Sequence, residues 1–431
     1  MQAAERKPNI IIFFADDLGY NDLGMRNKTF STPNIDRFAG QSINFENAYV
    51  PSPTSSPSRA GLLTGRHPLK VGIVRHINLN EERYGANGEF GVSQTDPARI
   101  PSRLFMPLSE VTLAEVLKQA GYYTAIIGKW HLGREEHYPD KQGFDHLFGV
   151  TSLGQPVNYY PPYFTRPSTG RTGEYLNDYL TDDAVRLIKG HGHSEQPLLL
   201  YFPHYAVHTP HIGKTERTKH YNEQGFEGNF ANFLSMVESF DDSFGRVLEA
   251  VRESGMADNT IIILTSDQGG FFSNAPLKGG KLNAMALYEG GAKVPFFFHY
   301  AKYSKPRTVK TPISTLDIFP TLLDLAGVKY DNRAVLDGMS LYGIIARNKE
   351  LAPRPLYFYR SYEDRYASIL SGGIKYIATR SGDDEAYDLR RDPGEERNII
   401  ADAKYAKQLG KLRANLASFV KENEPASVPP K

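Results

Sequence analysis

An α/β fold is predicted for this chain: a large, mostly parallel central sheet flanked by helices, then a smaller C-terminal subdomain with an antiparallel sheet and a helix. Three observations carry that prediction. Apolar runs rich in β-branched and aromatic residues alternate with helical spacing, as strands buried on both faces of a parallel sheet do. Each run ends in a polar cluster, and ligands of such sheets collect beyond the carboxyl ends of the strands. Past Pro353-Arg354-Pro355 the pattern shortens to strand-sized pieces and one last helix.

The elements follow in order. Residues 9–14, Asn-Ile-Ile-Ile-Phe-Phe, read as the first strand, which ends at Asp16 and Asp17. Thr112 and Glu115 form a capping-box pattern, and Leu113, Val116, Leu117 and Ala120 recur behind it at helical spacing, with Gly121 just past the end. Residues 123–127 read as the next strand and deliver Gly128-Lys129-Trp130-His131. A third strand, 198–202, delivers His204 and His208, and a long amphipathic helix spans about 229–254. A fourth, 260–265, delivers Asp267 and Gln268. Helical patterning resumes over 315–326. We place a boundary at 352/353, giving a catalytic domain of residues 1–352 and a subdomain of 353–431 with strands at 356–360, 367–370 and 374–378 and a helix near 403–421.

Composition narrows the function. A chain of 431 residues exceeds one typical core. Its 40% hydrophobic content, with 38 Gly, 28 Pro and 26 Tyr, describes a loop-rich globular enzyme. The balance of 50 Lys+Arg against 49 Asp+Glu argues against nucleic acid as a partner, so any anion binding is local. No apolar stretch reaches the roughly 18 residues of a membrane span, and Met1-Gln2-Ala3-Ala4 lacks the apolar core of a signal peptide. With no cysteine, disulfides, thiolate metal sites and a thiol nucleophile are excluded.

Two features carry chemistry. Residues 55–66 read Ser-Ser-Pro-Ser-Arg-Ala-Gly-Leu-Leu-Thr-Gly-Arg. Pro57 is expected to hold Ser56 extended, with a helix starting in the run that follows. Ser55 would then sit beside unpaired N–H groups at the positive end of a helix dipole, a place suited to a tetrahedral oxyanion. Arg59 and Arg66 add forked positive charge. The second feature is the pair Asp16 and Asp17 at a buried strand end, which is costly unless a cation neutralises it. Together with Asp267 and Gln268 it makes an all-oxygen donor set that favours Ca²⁺ or Mg²⁺ over Zn²⁺.

The dodecamer resembles the signature of the type I sulfatases of the alkaline phosphatase superfamily, S/C-x-P-S-R-x-x-x-x-T-G-R, whose first residue becomes formylglycine. Residues 15–20, 128–133, 208–210, 265–269, 277–281, 287–291 and 387–394 resemble further blocks of that family, in its order. The resemblance implies a metal site, for Ca²⁺ ahead of Mg²⁺, made of Asp16, Asp17, Asp267, Gln268 and the modified Ser55. It also implies that Arg59 orients the formylglycine hydrate, Lys129 and Lys281 clamp sulfate oxygens, His208 protonates the leaving oxygen, and His131 is the base that frees sulfate. One departure is the stretch Leu282-Asn283-Ala284-Met285-Ala286 after Lys281, longer than the family leads one to expect, which leaves Lys278 as the alternative to Lys281.

The implied partners are a sulfated carbohydrate and a formylglycine-generating maturation enzyme, with export to the periplasm or beyond. Arg75, His76, His204 and His211, with the Tyr/Arg-rich stretch 357–365, are candidates to face the sugar. Residue 55 has two origins open to it: a native serine, or a serine standing for cysteine. Two rival functions also stand: a phosphatase or phosphodiesterase using Ser55 directly beside two zinc ions, and a sulfated-glycan-binding protein that never receives the modification.

Overall fold

The computed structural model describes residues 6–85, 87–164, 171–303 and 305–429, so Met1-Gln2-Ala3-Ala4 lies outside the described residues. The central sheet draws on β1 (Asn9–Ala15), β2 (Ile43–Phe45), β3 (Tyr123–Ile127), β4 (His146–Phe148), β5 (Leu198–Pro203), β6 (Thr260–Ser266), β7 (Phe296–His299) and β8 (Arg307–Val309). Their spatial order is β8-β2-β7-β6-β1-β5-β3-β4. The five strands from β6 to β4 run parallel, whereas β7 pairs antiparallel with both β6 and β2. The expected mostly parallel α/β sheet is what the chain forms, with an antiparallel turn toward one edge.

The continuous apolar runs are explained by burial on both faces. Ile10, Ile12 and Phe14 of β1 enter one core, while Ile11, Phe13 and Ala15 enter the other. Each of these Ile and Phe side chains contributes roughly 1.5–3 kcal/mol by leaving water, and a one-residue slip of β1 would exchange the two sets. Over the second face lies α4 (Gly228–Glu253), which buries Phe233, Val237, Phe240, Phe244, Val247 and Val251 at helical spacing. Beside it packs α3 (Leu176–His191), a helix the sequence reading did not find. The capping box at Thr112 and Glu115 is present at the start of α2 (Leu113–Gln119), and Gly121 follows with φ +95°.

The segment at Ser55 corrects one expectation. The helix α1 (Ser55–Thr64) starts at Ser55 itself, with Thr54 as N-cap, so Ser56 is helical rather than extended. Pro57 then falls in the first turn, where its missing N–H deprives the helix of nothing. Every residue of α1 is buried, and that packing outweighs the local bias of a residue before proline.

Beyond α5 (Ile318–Leu325), the last part of the chain forms the antiparallel sheet β9 (Leu356–Tyr359), β10 (Arg365–Ser371), β11 (Ile374–Thr379) and β12 (Glu385–Asp388). Against it packs α6 (Ala406–Asn423) through Leu409, Leu412, Leu416 and Val420. A buried ionic cluster staples this sheet to the rest. Lys375 Nζ of β11 lies 2.9 Å from Glu289 Oε1 and 3.0 Å from Glu395 Oε1. Tyr49 Oη donates to Glu289 Oε2 at 2.9 Å, and the Glu289 N–H donates to Glu395 Oε2 at 2.7 Å. The blocks at 287–291 and 387–394 meet beside it, where the Tyr288 and Tyr387 rings stand 6.1 Å apart.

Removing Lys375 would strand two buried carboxylates, so Lys375→Met is expected to cost about 3–5 kcal/mol, read as a lowered midpoint in chemical denaturation. Burial pushes the Glu395 carboxyl up to about 7, with Lys375 pulling the other way. The folded chain thus holds a proton that an unfolded glutamate releases near 4.5, and this group's contribution to stability falls as pH rises between those values. Glu395→Gln should flatten that part of the stability profile; an unaltered slope would mean that Glu395 is ionised throughout.

Candidate active site

The strand ends place their polar clusters together. Asp16 and Asp17 leave β1, Lys129 and His131 leave β3, His208 follows β5, and Asp267 and Gln268 leave β6. Two backbone features aim them. Gly128 has φ +112°, and a Cβ there would stand 2.1 Å from the Pro203 carbonyl oxygen, which instead accepts the Lys129 N–H at 2.7 Å. Asp17 and His131 are themselves left-handed, with φ +65° and +56°, a conformation that costs L-residues on the order of 1 kcal/mol and recurs where a site dictates side-chain direction.

Three buried carboxylates and three cations make the floor. Lys129 Nζ lies 2.5 Å from Asp16 Oδ2 and 3.3 Å from Ser55 Oγ. Ser55 Oγ in turn lies 3.3 Å from Asp16 Oδ1. Arg59 Nη2 donates to Asp267 Oδ2 at 2.9 Å and stands 3.7 Å from Asp16 Oδ1. Lys281 Nζ reaches Asp17 Oδ2 at 2.5 Å. Its alternative, Lys278, points instead to Tyr387 Oη at 3.1 Å and the Tyr288 ring, toward the C-terminal sheet. Burial pushes the Lys129 ammonium down, although Asp16 pulls it back up. Burial also opposes the charge on Lys281, but Asp17 wins and that ammonium is raised. The Asp267 carboxyl is raised by burial and by Asp16, against Arg59.

The histidines differ in what their rings present. His131 Nε2 lies 3.1 Å from the Ile77 carbonyl, which can only accept, so Nδ1 carries the lone pair and has no partner among the described residues. Burial, then Lys129, holds its pKa well below the usual range. His208 donates Nδ1–H to the Thr209 carbonyl at 2.9 Å, which turns the Nε2 lone pair toward Asp17 Oδ2, 3.8 Å away. Burial lowers this ring to about 4, with Asp17 pulling it back up.

These residues suit a hard divalent cation. Asp16, Asp17 and His208 each bring one ligand atom within 4.8 Å of the others. The imidazole was not expected in that group; it arrives because the Asp16 backbone pairs with Ala206 and Val207, at 3.0 and 2.7 Å. Asp267 is already engaged by Arg59 and by the Asp17 N–H at 3.1 Å, with carboxylate lone pairs to spare. Gln268 turns Nε2 to Asp17 Oδ1 at 2.7 Å and to Ser55 Oγ at 3.4 Å; a half turn of the amide presents Oε1 to a cation instead.

Above the floor opens a cleft of about 640 Å³. His76 lines it, edge-on to Tyr362 with ring centroids 5.9 Å apart. Three other sugar-facing candidates do not line it. Arg75 is buried, forked onto Glu81 at 2.9 and 2.6 Å and onto the Ile100 and Gly91 carbonyls. His204 shares a strand face with Phe202, so its ring turns into the core, stacks there at 4.3 Å and meets Ser243 Oγ. His211 is packed among Phe233, Phe271 and Phe272. Arg134, which the sequence reading passed over, does line the cleft; its signal was its place directly behind the block at 128–133.

The family described as Sulfatase matches residues 8–328, and that described as N-sulphoglucosamine sulphohydrolase, C-terminal, matches residues 280–422. N-acetylgalactosamine-6-sulfatase of Homo sapiens is 29% identical over 99% of this chain and 87% of its own length. The enzyme of the same name from Mus musculus is 30% identical over 83% of this chain and 69% of its own. Among solved structures, Ps i-CgsB in complex with k-i-k-neocarrahexaose aligns with a TM-score of 0.84 and 28% identity, covering 98% of this chain and 94% of the other.

Proposed function

Since the chain belongs to the sulfatase family, whose members are sulfuric ester hydrolases, we propose that it hydrolyses a sulfate ester on a carbohydrate of the glycosaminoglycan or related sulfated-glycan type. The observation that carries this reading is the floor around residue 55. A buried hydroxyl at a helix start faces one lysine at 3.3 Å, with a second lysine on the neighbouring carboxylate. Relatives that act on N-acetylgalactosamine 6-sulfate and a structural neighbour that binds a neocarrahexaose support the choice of a saccharide.

Each side chain has a task in this reading. Lys129 and Lys281 take the sulfuryl oxygens, and their charge offsets what develops there during in-line displacement. Arg59 holds Asp267 and orients residue 55. The arriving anionic ester favours the imidazolium of His208, which then donates to the departing sugar oxygen. The free Nδ1 of His131 accepts the proton when sulfate leaves. Formylglycine formed from Ser55 by a maturation enzyme would supply paired hydroxyls, one to attack sulfur and one to release sulfate, which a serine alcohol alone does not offer. Asp16, Asp17, Asp267, Gln268 and the modified residue would hold Ca²⁺, ahead of Mg²⁺, to add positive charge at the same oxygens. The division at 352/353 and export to the periplasm or beyond belong to the same proposal. Among the described residues no helix is long and apolar enough to cross a membrane.

Intact-mass analysis of the peptide holding residue 55 should find it lighter than serine by two hydrogens; an unmodified peptide in turnover-competent protein would sink the aldehyde. Metal analysis should return one Ca²⁺ per chain, whereas two Zn²⁺ would support a phosphatase using Ser55 directly. Lys129→Ala is expected to cut kcat by about 10²–10³-fold or more with the circular dichroism unchanged, and near-normal kcat would remove Lys129 from the site. Asp267→Ala should lose cation and activity together. Full metal occupancy in that variant would overturn the ligand set.

A further inference from the structure

We infer that the cleft reads a second anionic group on the saccharide, through the guanidiniums of Arg360 and Arg134, besides the sulfate that is cleaved. The inference rests on the proposed sulfatase site only for the position of the first sulfate. At the floor, Asp16, Asp17 and Asp267 are already matched by Arg59, Lys129 and Lys281. Among the described residues no acidic side chain lines the cleft wall above them, yet it carries Arg134 and Arg360. The chain as a whole is nearly neutral, with a formal charge of +1.

Arg360 is built as a fixed donor. It is 5% exposed. Its Nε donates to Glu363 Oε1 at 2.8 Å, and its Nη1 donates to the Pro53 carbonyl and, at 3.0 Å, to Thr54 Oγ1. The guanidinium also sits 4.8 Å from the centre of the Tyr362 ring. Glu363 lies outside the cleft lining. The remaining nitrogen, Nη2, has no protein partner among the described residues, and a guanidinium held out of water gains most from an anion that takes such a donor. Thr54 directly precedes Ser55, so this donor stands one residue from the point of attack. Arg134 is exposed, lines the same cleft and makes no ion pair among the described residues. The group read is a second sulfate ester or a uronate carboxylate, on the same ring or the next; both offer the planar or tetrahedral oxygens that suit forked donors.

The test uses three disaccharides on one backbone: the target sulfate alone, the target sulfate with a second sulfate on the adjacent ring, and the target sulfate with a uronate carboxylate there. Binding is measured by calorimetry on the unmodified chain at low and physiological salt, and kcat/KM on the aldehyde-bearing chain. Wild type should prefer one or both of the doubly charged sugars by about tenfold, and Arg360→Gln and Arg134→Gln should each remove most of that preference through KM. Arg360→Lys, which keeps charge without the fork, should restore part of it. Because Arg360 also holds Thr54, an equal loss on all three sugars would reduce it to a positioning residue and overturn its part. Arg134→Gln alters an exposed side chain that makes no ion pair among the described residues, and decides the matter if the Arg360 variants do not fold. No preference in wild type, in binding or in turnover, overturns the inference and leaves the sulfatase reading intact. A binding preference without turnover of any sulfate ester does the reverse.

Discussion

Three carboxylates sunk at the ends of two adjacent strands are the constraint to which the rest of this molecule answers. Asp16, Asp17 and Asp267 are fully buried, and charges in such a place persist only when paired and hydrogen-bonded. The parallel register of β1 with β6 sets them side by side. The buried helix α1 brings Arg59, and the strand exit at Gly128 brings Lys129. The loop after Asp267 returns Lys281 from the far side. Chemistry is possible here because the counter-charges are movable amines and one guanidinium rather than a sealed apolar shell.

Loop order follows from the same demand. A Cβ at Gly269 would stand 1.8 Å from the Gly290 carbonyl oxygen, so the segment after β6 and the Glu-Gly-Gly turn lie in backbone contact. Glu289, in that turn, is one arm of the buried cluster around Lys375. The C-terminal sheet thereby bears on the active floor through backbone and ion pair rather than through an apolar seam alone, although Tyr49, Leu287, Leu356 and Phe358 add one.

Four of the five parallel strands were legible because burial on both faces writes an unbroken apolar run, and the Thr112–Glu115 box because its two hydrogen bonds need those residue types. The edge strand β4 and the opposite edge of β2, β7 and β8 were not, since pieces of three or four residues carry no usable period. β12 runs into the start of a block read for its resemblance alone. At the site, residue types at strand ends pointed to the floor, but direction did not. His204 fails as a sugar contact because alternation along the strand sends it to the Phe202 face, and Arg75 because Glu81, six residues on, claims its fork. Only three-dimensional packing decides such cases. Arg360 was seen merely as part of a Tyr/Arg-rich stretch, its grip on Pro53 and Thr54 lying about three hundred residues away in sequence.

That grip has a mechanical corollary. One guanidinium both lines the cleft and clasps the two residues that lead into α1. Occupancy of the proposed anion contact and alignment of residue 55 would then be tied to a single side chain. Grafting a foreign C-terminal segment to alter sugar preference would shift the reactive position as well, so selectivity and rate in this scaffold are expected to drift together unless the clasp is transplanted with it.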